Sequence, residues 1–402
     1  MVSPSTAALP RAALRRVLVV LCVTEVVSWG VLYYAFPVLA PSIAADTGWS
    51  PGAMTAAFSS ALVVAALVGI PVGRALDRWG PRAVMTAGSV LAVPSVVGIA
   101  VAESVWWFLA AWLVAGVAMA GVLYQPAFAA LTRWWGPRQV AALTALTLIA
   151  GLSSTVFAPL TAALIARMDW RDTYLVLAAV LAVTTIPLHL FGLRGQWPEV
   201  EPAPGWASRD PGPVARSRPF VLLTVAMTLA AFAVYAVLIN LVPLLLGRGL
   251  DTATAALALG LGGVGQVAGR LFYGRLVAAT GVRSRTALII GACAGTTGLL
   301  AVVPGPAVLL VVISVVVGAA RGIFTLLQAT AVSDRWGAAH YGRLNGVISA
   351  PMLIATAVAP WAGTALAALL GGYPAVFLLL AGIAAGAALI SATGGTPARA
   401  AR

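Results

Sequence analysis

The chain has 402 residues, of which 61% are hydrophobic and only 9% charged, and its formal net charge is +13. A soluble domain carries roughly 25% charged residues, so this chain cannot cover itself for water. All 24 basic residues are arginines set singly or in small groups between long apolar runs; that placement orients helices in a bilayer and lines no groove for phosphates, which excludes a nucleic-acid partner.

A bilayer core about 30 Å thick takes roughly 20 apolar residues as a helix. Charge-free runs of that size, broken at Gly and Pro clusters, predict spans at 17–41, 53–73, 83–102, 106–131, 140–166, 173–193, 219–247, 253–274, 286–303, 306–332, 344–370 and 373–392. The first follows Arg11, Arg15 and Arg16 and has Glu25 as its only charge. It exceeds the roughly 7–15 apolar residues of a cleavable signal peptide, so none is expected. Two breaks rest on punctuation alone, Pro304-Gly305-Pro306 and Gly371-Gly372-Tyr373-Pro374. The expected fold is an all-α membrane protein of twelve transmembrane helices.

With the N-terminus inside, the inner segments hold 19 arginines and the outer loops three, Arg167, Arg171 and Arg248. The acids divide evenly, which fits a rule that counts basic residues and nearly ignores acidic ones. The expected location is the cytoplasmic (inner) membrane, with both termini cytoplasmic and the chain a monomer in the lipid bilayer. Cys22 and Cys293 lie inside apolar runs, so no disulfide, metal or cofactor is expected.

The chain repeats at an offset of 201 residues: Gly73-Arg74, Gly80 and Arg82 map onto Gly274-Arg275, Gly281 and Arg283, and Trp135-Gly136 onto Trp336-Gly337. Two six-helix bundles are therefore predicted, 1–193 and 219–402, joined by a cytoplasmic linker at 194–218 that is rich in Pro, Arg and Glu. Parallel repeats of this kind surround a central cavity on a pseudo-twofold axis and hold substrate at mid-membrane.

Three charges fall inside spans: Glu25, Arg270 and Arg321. Intramembrane ionisable residues are functional candidates by default. Arg321 has Thr325 and Gln328 at i+4 and i+7, one polar stripe on an apolar helix. A guanidinium fork matches a carboxylate bidentately, so Arg321 reads as an anion-binding group; the bland alternative is an arginine satisfied by neighbouring carbonyls. Arg270 has Gln266 one turn before it and equally reads as an anion site or as a side chain snorkelling to the surface. Glu25, with Ser28 at i+3, reads either as a proton-coupling carboxyl or as an ion-pair partner for one of the arginines or Arg16. Thr224, Thr228 and Tyr235 share a face of the seventh span with Asn240 beyond, and Tyr124 and Gln125 mark the fourth; such residues more often join helices than bind substrate. Gly69/Gly73 and Gly265/Gly269 read as packing pairs. His189 and His340 are given no chemistry.

The run from Gly73 through Asp77, Arg78 and Gly80 to Arg82 resembles the loop signature between spans 2 and 3 of the major facilitator superfamily. The resemblance implies a gating role for Gly73, Asp77, Arg78, Gly80 and Arg82, against the alternative of a plain turn. In that family span 10, which carries Arg321, lines the central cavity. Tyr34-Ala35-Phe36-Pro37, and Arg270 followed by Gly274, are similar to motifs of the monocarboxylate-porter and oxalate/formate-antiporter group. The chain has Val38 and Gln266 where that group has Lys and Asp, and it lacks the group's acidic-Gly-Gly opening of span 1. The substrate-binding set implied is Arg321, Arg270, Gln266, Thr325, Gln328, Tyr34 and Tyr235. The expected function is secondary active transport of a small organic anion, a carboxylate, coupled to H+. The alternative is a proton-coupled multidrug exporter of the same superfamily, disfavoured because Ala158-Pro159-Leu160-Thr161 stands where such exporters carry a Gly-Pro-Gly-Gly type sequence. No catalytic constellation is present, so an enzyme is not expected.

Overall fold

The computed structural model describes residues 10–136, 139–197, 212–336 and 341–393, and among them the regular structure is helical, with no strand. Eleven helices are long and apolar enough to cross a membrane. One of them, Pro51–Ala100, has 50 residues and is broken at Gly80, whose φ of 73° and ψ of 171° no helix contains. Fifty residues at about 1.5 Å each would run more than twice the thickness of a bilayer core. The helix is therefore two spans meeting at Gly80, and the total is twelve.

Span 1 is Arg11–Thr47, spans 2 and 3 lie in Pro51–Ala100, and span 4 is Val105–Trp135, span 5 Ala141–Ile165 and span 6 Trp170–Gly192. Span 7 is Arg218–Leu246, span 8 Thr252–Ala279, span 9 Val282–Val302, span 10 Ala307–Thr330, span 11 Leu344–Leu370 and span 12 Tyr373–Thr393. Both punctuation breaks hold. Span 9 stops at Val302, before the Pro-Gly-Pro, and Gly371 and Gly372, at φ 77° and 142°, turn span 11 into span 12. The helices overrun their predicted ends because apolarity marks only the length immersed in hydrocarbon.

Spans 2, 4, 6 and 8 all begin on a side-chain cap: Ser50, Ser104, Asp169 and Asp251 each accept from a backbone N–H three residues on. In the N-terminal unit the caps Ser50, Ser104 and Asp169 mark the end opposite the 73–82 loop. Helix starts leave backbone donors without partners, and caps satisfy them where arginines are scarce.

The chain divides into two compact units, Met1–Ala203 and Pro204–Arg402, and the division falls inside the predicted linker. Most of that linker, and His340, lie outside the described residues. In the N-terminal unit Phe36, Phe58, Phe108 and Trp112 pack as an aromatic cluster, with Phe36 and Phe58 stacked at 4.7 Å. A second cluster around Leu21, Cys22, Met85, Leu131 and Trp134 fills the end nearer the 73–82 loop.

The C-terminal unit is organised by glycine. A Cβ on Gly265 or Gly269 would run into the backbone of Val315 or Ala319, and one on Gly318 or Gly322 into that of Gly262 or Gln266. Spans 8 and 10 thus touch backbone to backbone, the small-residue packing that replaces hydrophobic drive inside a membrane. The expectation of a similar seam at Gly69/Gly73 fails. Gly69 faces the side chain of Gln125, and nothing lies within 4 Å of where a Gly73 Cβ would stand. The close backbone approaches of the N-terminal unit are instead Gly116 on Ala61 and Gly88 on Gly121.

Candidate functional site

The glycine seam sets spans 8 and 10 in register, and that register pairs their polar residues crosswise. Arg321 is 6% exposed and donates from Nη2 to Oε1 of Gln266. Arg270 donates from Nε and Nη2 to Oγ1 of Thr325, at 3.3 and 3.2 Å. The hydroxyl of Thr325 in turn donates to the carbonyl of Gly322 at 2.7 Å. Each arginine therefore bonds across the interface to the residue the sequence grouped with the other, and the two pairs lie one helical turn apart. Arg270 is nearly as buried as Arg321 and is held in place, which argues against free snorkelling. Gln328 is half-buried one turn past Thr325. Tyr235 is half-buried on span 7 against the cluster that contains Phe324. Tyr34 belongs to the N-terminal unit, where its ring meets Tyr33 at 5.2 Å.

Glu25 is fully buried in the N-terminal unit. Its Oε2 accepts from the indole of Trp29 at 2.9 Å, while Oε1 and the neighbouring Ser28 hydroxyl have no partner among the described residues. The ion-pair reading finds no arginine partner for Glu25 among the described residues. Arg16 lies nine residues away, about 13 Å along the helix, and donates instead to the carbonyl of Arg194 at 2.8 Å. Just beyond Trp29 the helix widens into a π-turn over Gly30–Tyr34, where a Cβ on Gly30 would overlap the ring of Phe157. Span 4 is interrupted at Leu123 and span 5 at Gly151-Leu152. Such departures from α-geometry recur at functional sites. Trp29 packs on Tyr124 at 5.0 Å, and Tyr124 stacks on Phe128 at 5.0 Å.

At the 73–82 loop Asp77 forms an ion pair with Arg133 of span 4. Trp197 covers this pair: its indole N–H donates to the Asp77 carbonyl at 3.2 Å and the Arg133 guanidinium lies 4.6 Å from its ring centre. Trp134 contacts the same ring at 5.4 Å and donates to the carbonyl of Gln196 at 3.0 Å. The backbone at Gly80 runs so close that a Cβ there would sit 3.2 Å from the Trp197 ring. Arg82 donates to the carbonyl of Leu190 at 2.8 Å, and Arg78 lies over Trp79. The structure therefore ties Asp77, Gly80 and Arg82 to neighbouring elements, while Gly73 stands in open space. Sequence reasoning missed Trp197; the available signal was a tryptophan in an otherwise polar stretch.

In the C-terminal unit the equivalent loop is built otherwise. Asp334 pairs with Arg285, and Arg335 donates to the Thr286 hydroxyl at 2.8 Å and the Ala331 carbonyl at 3.1 Å. Burial pushes the Arg335 guanidinium down to about 10, opposed by Asp334 beside it. Of the polar residues of span 7, Asn240 joins helices, accepting from the Thr364 hydroxyl of span 11 at 2.9 Å; Thr224 instead donates to the Phe220 carbonyl of its own helix, and the Thr228 hydroxyl has no partner among the described residues. At the start of span 8 the backbone N–H and hydroxyl of Thr254 hold the Asp251 carboxyl below its usual range.

Twelve spans in two six-span units, with an arginine-glycine loop between spans 2 and 3, define a polytopic membrane protein of a recognisable class. Residues 21–309 match the model of the Major Facilitator Superfamily, and the chain belongs to that family. It is 29% identical over 255 residues to monocarboxylate transporter 13 of Bos taurus, a match covering 62% of this chain and 56% of that one. It is 31% identical over 211 residues to multidrug resistance protein MdtL of Shigella flexneri, covering 51% of this chain and 52% of the other. The chain thus matches little more than half the length of these relatives. Among solved structures, the nucleoside transporter NupG superposes with a TM-score of 0.78 at 13% identity, covering 93% of this chain and 98% of that one; this is a likeness of fold.

Proposed function

We propose that the protein is a secondary transporter that moves a small organic anion, a carboxylate, across the cytoplasmic membrane by alternating access, coupled to a proton. The observation that carries this reading is the pair of buried arginines on the span 8–10 interface, Arg321 on Gln266 and Arg270 on Thr325, each held by a neutral partner. A buried guanidinium is stable when paired, and a planar fork selects carboxylate geometry. Gln266 and Thr325 orient the two forks, and the further candidates Gln328, Tyr235 and Tyr34 supply hydroxyl and amide groups for the rest of the substrate. The match to monocarboxylate transporter 13 supports the same class of substrate.

Glu25 is the proton carrier in this reading. Among the described residues, its carboxyl has one oxygen without a partner and no arginine within hydrogen-bonding reach. Asp77, Arg133 and the surrounding loop form the gate, and both termini face the cytoplasm. The match to MdtL supports a second reading, export of lipophilic drugs, which needs no positive centre.

Uptake of labelled mono- and dicarboxylates into proteoliposomes, with and without a pH gradient, tests the proposal. A carboxylate should accumulate against its gradient when the pH gradient is imposed, and Glu25→Gln should abolish accumulation while exchange persists. Transport of lipophilic cations with no carboxylate flux would sink it. Reporter fusions in the 194–218 segment and at the C-terminus should both read cytoplasm.

A further inference from the structure

We infer that the C-terminal bundle holds a resident halide ion beside Arg321, in a chamber separate from the face that meets Arg270. Spans 7, 8, 9 and 10 line a partly open cavity of about 30 Å³ whose lining includes Leu259, Cys293, Thr297, Ser314, Gly318 and Arg321. The residues that spans 8 and 10 contribute, apart from Arg321, all precede Gln266 and Arg321 in the chain. Both spans run the same way, so the cavity extends away from Arg270 and Thr325, which do not line it.

Three features make this chamber an anion site. First, Arg321 is 6% exposed, and its Nε–H has no partner among the described residues. Second, no acid among the described residues of this half balances its charge. Residues 204–402 contain only Asp210, Asp251 and Asp334; Asp251 caps span 8, Asp334 pairs with Arg285, and Asp210 lies outside the described residues. Third, Thr297 is buried at the cavity wall, and no hydrogen bond occupies its hydroxyl among the described residues, which leaves its O–H able to donate. The hydroxyls of Ser314 and Thr296, by contrast, donate to their own helices.

Size decides the ligand. A buried water needs at least about 10–15 Å³ of such volume, so this chamber takes one or two water-sized groups. A monatomic anion fits and an organic carboxylate does not. Water alone would leave the guanidinium uncompensated, and buried charges are paired. A halide accepting from the Arg321 Nε–H and the Thr297 hydroxyl, against the apolar walls of Leu259 and its neighbours, satisfies charge and geometry together. The site does not rest on the transport reading. If that reading holds, one resident halide leaves the two arginines with a single net positive charge, which suits a monocarboxylate.

The test is thermal unfolding of the purified full chain in detergent, in sodium chloride, sodium bromide or sodium gluconate at matched ionic strength. Chloride and bromide should raise the midpoint by several degrees over gluconate, which is too large to enter. Arg321→Gln should lose the difference. Val317→Leu, which narrows the cavity and keeps every charge, should lose it while matching the wild type in gluconate; this variant decides the matter if Arg321→Gln does not fold. Equal midpoints in chloride and gluconate for the wild type, or an undiminished chloride effect in Val317→Leu, would overturn the inference.

Discussion

The two halves repeat each other in chain order and differ in where they keep their charges. The buried charge of the N-terminal half is an acid, Glu25, on a helix that widens into a π-turn. Those of the C-terminal half are arginines: Arg270 and Arg321 on two helices locked together by glycine, and Arg285 at the start of span 9, paired with Asp334. The loops differ in the same sense. The repeat register places Arg133 opposite Asp334, so the partner that closes the Asp77 loop in one half is itself an acid in the other, bonded to Arg285. Among the described residues, only the N-terminal loop is covered by a tryptophan from beyond span 6. A duplicated scaffold has thus kept its helix count while its polar residues were redistributed, with irregular helices and a clamped loop in one half and a rigid, positively charged seam in the other.

The seam offers the largest effect with which to break this contrast. Gly318→Ala drives a Cβ into the backbone of Gly262, and overpacking of that kind costs about 1–3 kcal/mol. Gly291→Ala on span 9 meets nothing within 4 Å and should be neutral or slightly stabilising, by up to about 1 kcal/mol. Thermal unfolding of the two variants checks the pair; equal midpoints would mean that the seam is not rigid.

The clamped loop comes next. Asp77 is largely exposed, and such an ion pair contributes about 0.2–1 kcal/mol, worth up to roughly fivefold in an equilibrium. Asp77→Asn and Trp197→Ala should each lower turnover by about that factor with substrate affinity unchanged, because a gate biases conformations and does not touch the ligand. Turnover and affinity falling together would make the loop a plain turn.

The smallest effect is at the Asp251 cap. Because folding lowers its pKa, the carboxylate stabilises the protein above the unfolded value near pH 4 and loses that contribution as pH falls through the folded one. The difference in midpoint between wild type and Asp251→Ala should therefore be present at pH 7 and shrink below about pH 4. A gap independent of pH would show that the Thr254 contacts act through packing.

Much of the fold was legible because membrane helices announce themselves by length. Runs of about 20 apolar residues and the Gly-Gly-Tyr-Pro break were enough to count spans, and the 73–82 run separated spans 2 and 3, where the backbone breaks at Gly80 with a positive φ. The arginines inside the membrane were equally visible. Their partners were not: pairing Arg321 with Gln266 depends on the register of two helices 55 positions apart in the chain, which is set by glycines that a sequence read as packing alone. The ion pair expected for Glu25 failed for a related reason, since a lone charge suggests a counter-charge whereas an indole one turn away is nearer. Trp197 escaped because linkers are read by their polarity.

The central claim is that the C-terminal half binds an anion through its buried arginines, and Arg321 tests it most directly. A bidentate, charge-assisted contact contributes about 1.5–3 kcal/mol, one to two decades of affinity. Binding of a transported carboxylate should be measured on purified wild type, Arg321→Gln and Arg321→Lys at one fixed chloride concentration, after thermal stability is matched. The account predicts a loss of roughly ten- to a hundredfold in Arg321→Gln and partial recovery in Arg321→Lys, whose ammonium lacks the planar fork. Unchanged affinity in Arg321→Gln would contradict it.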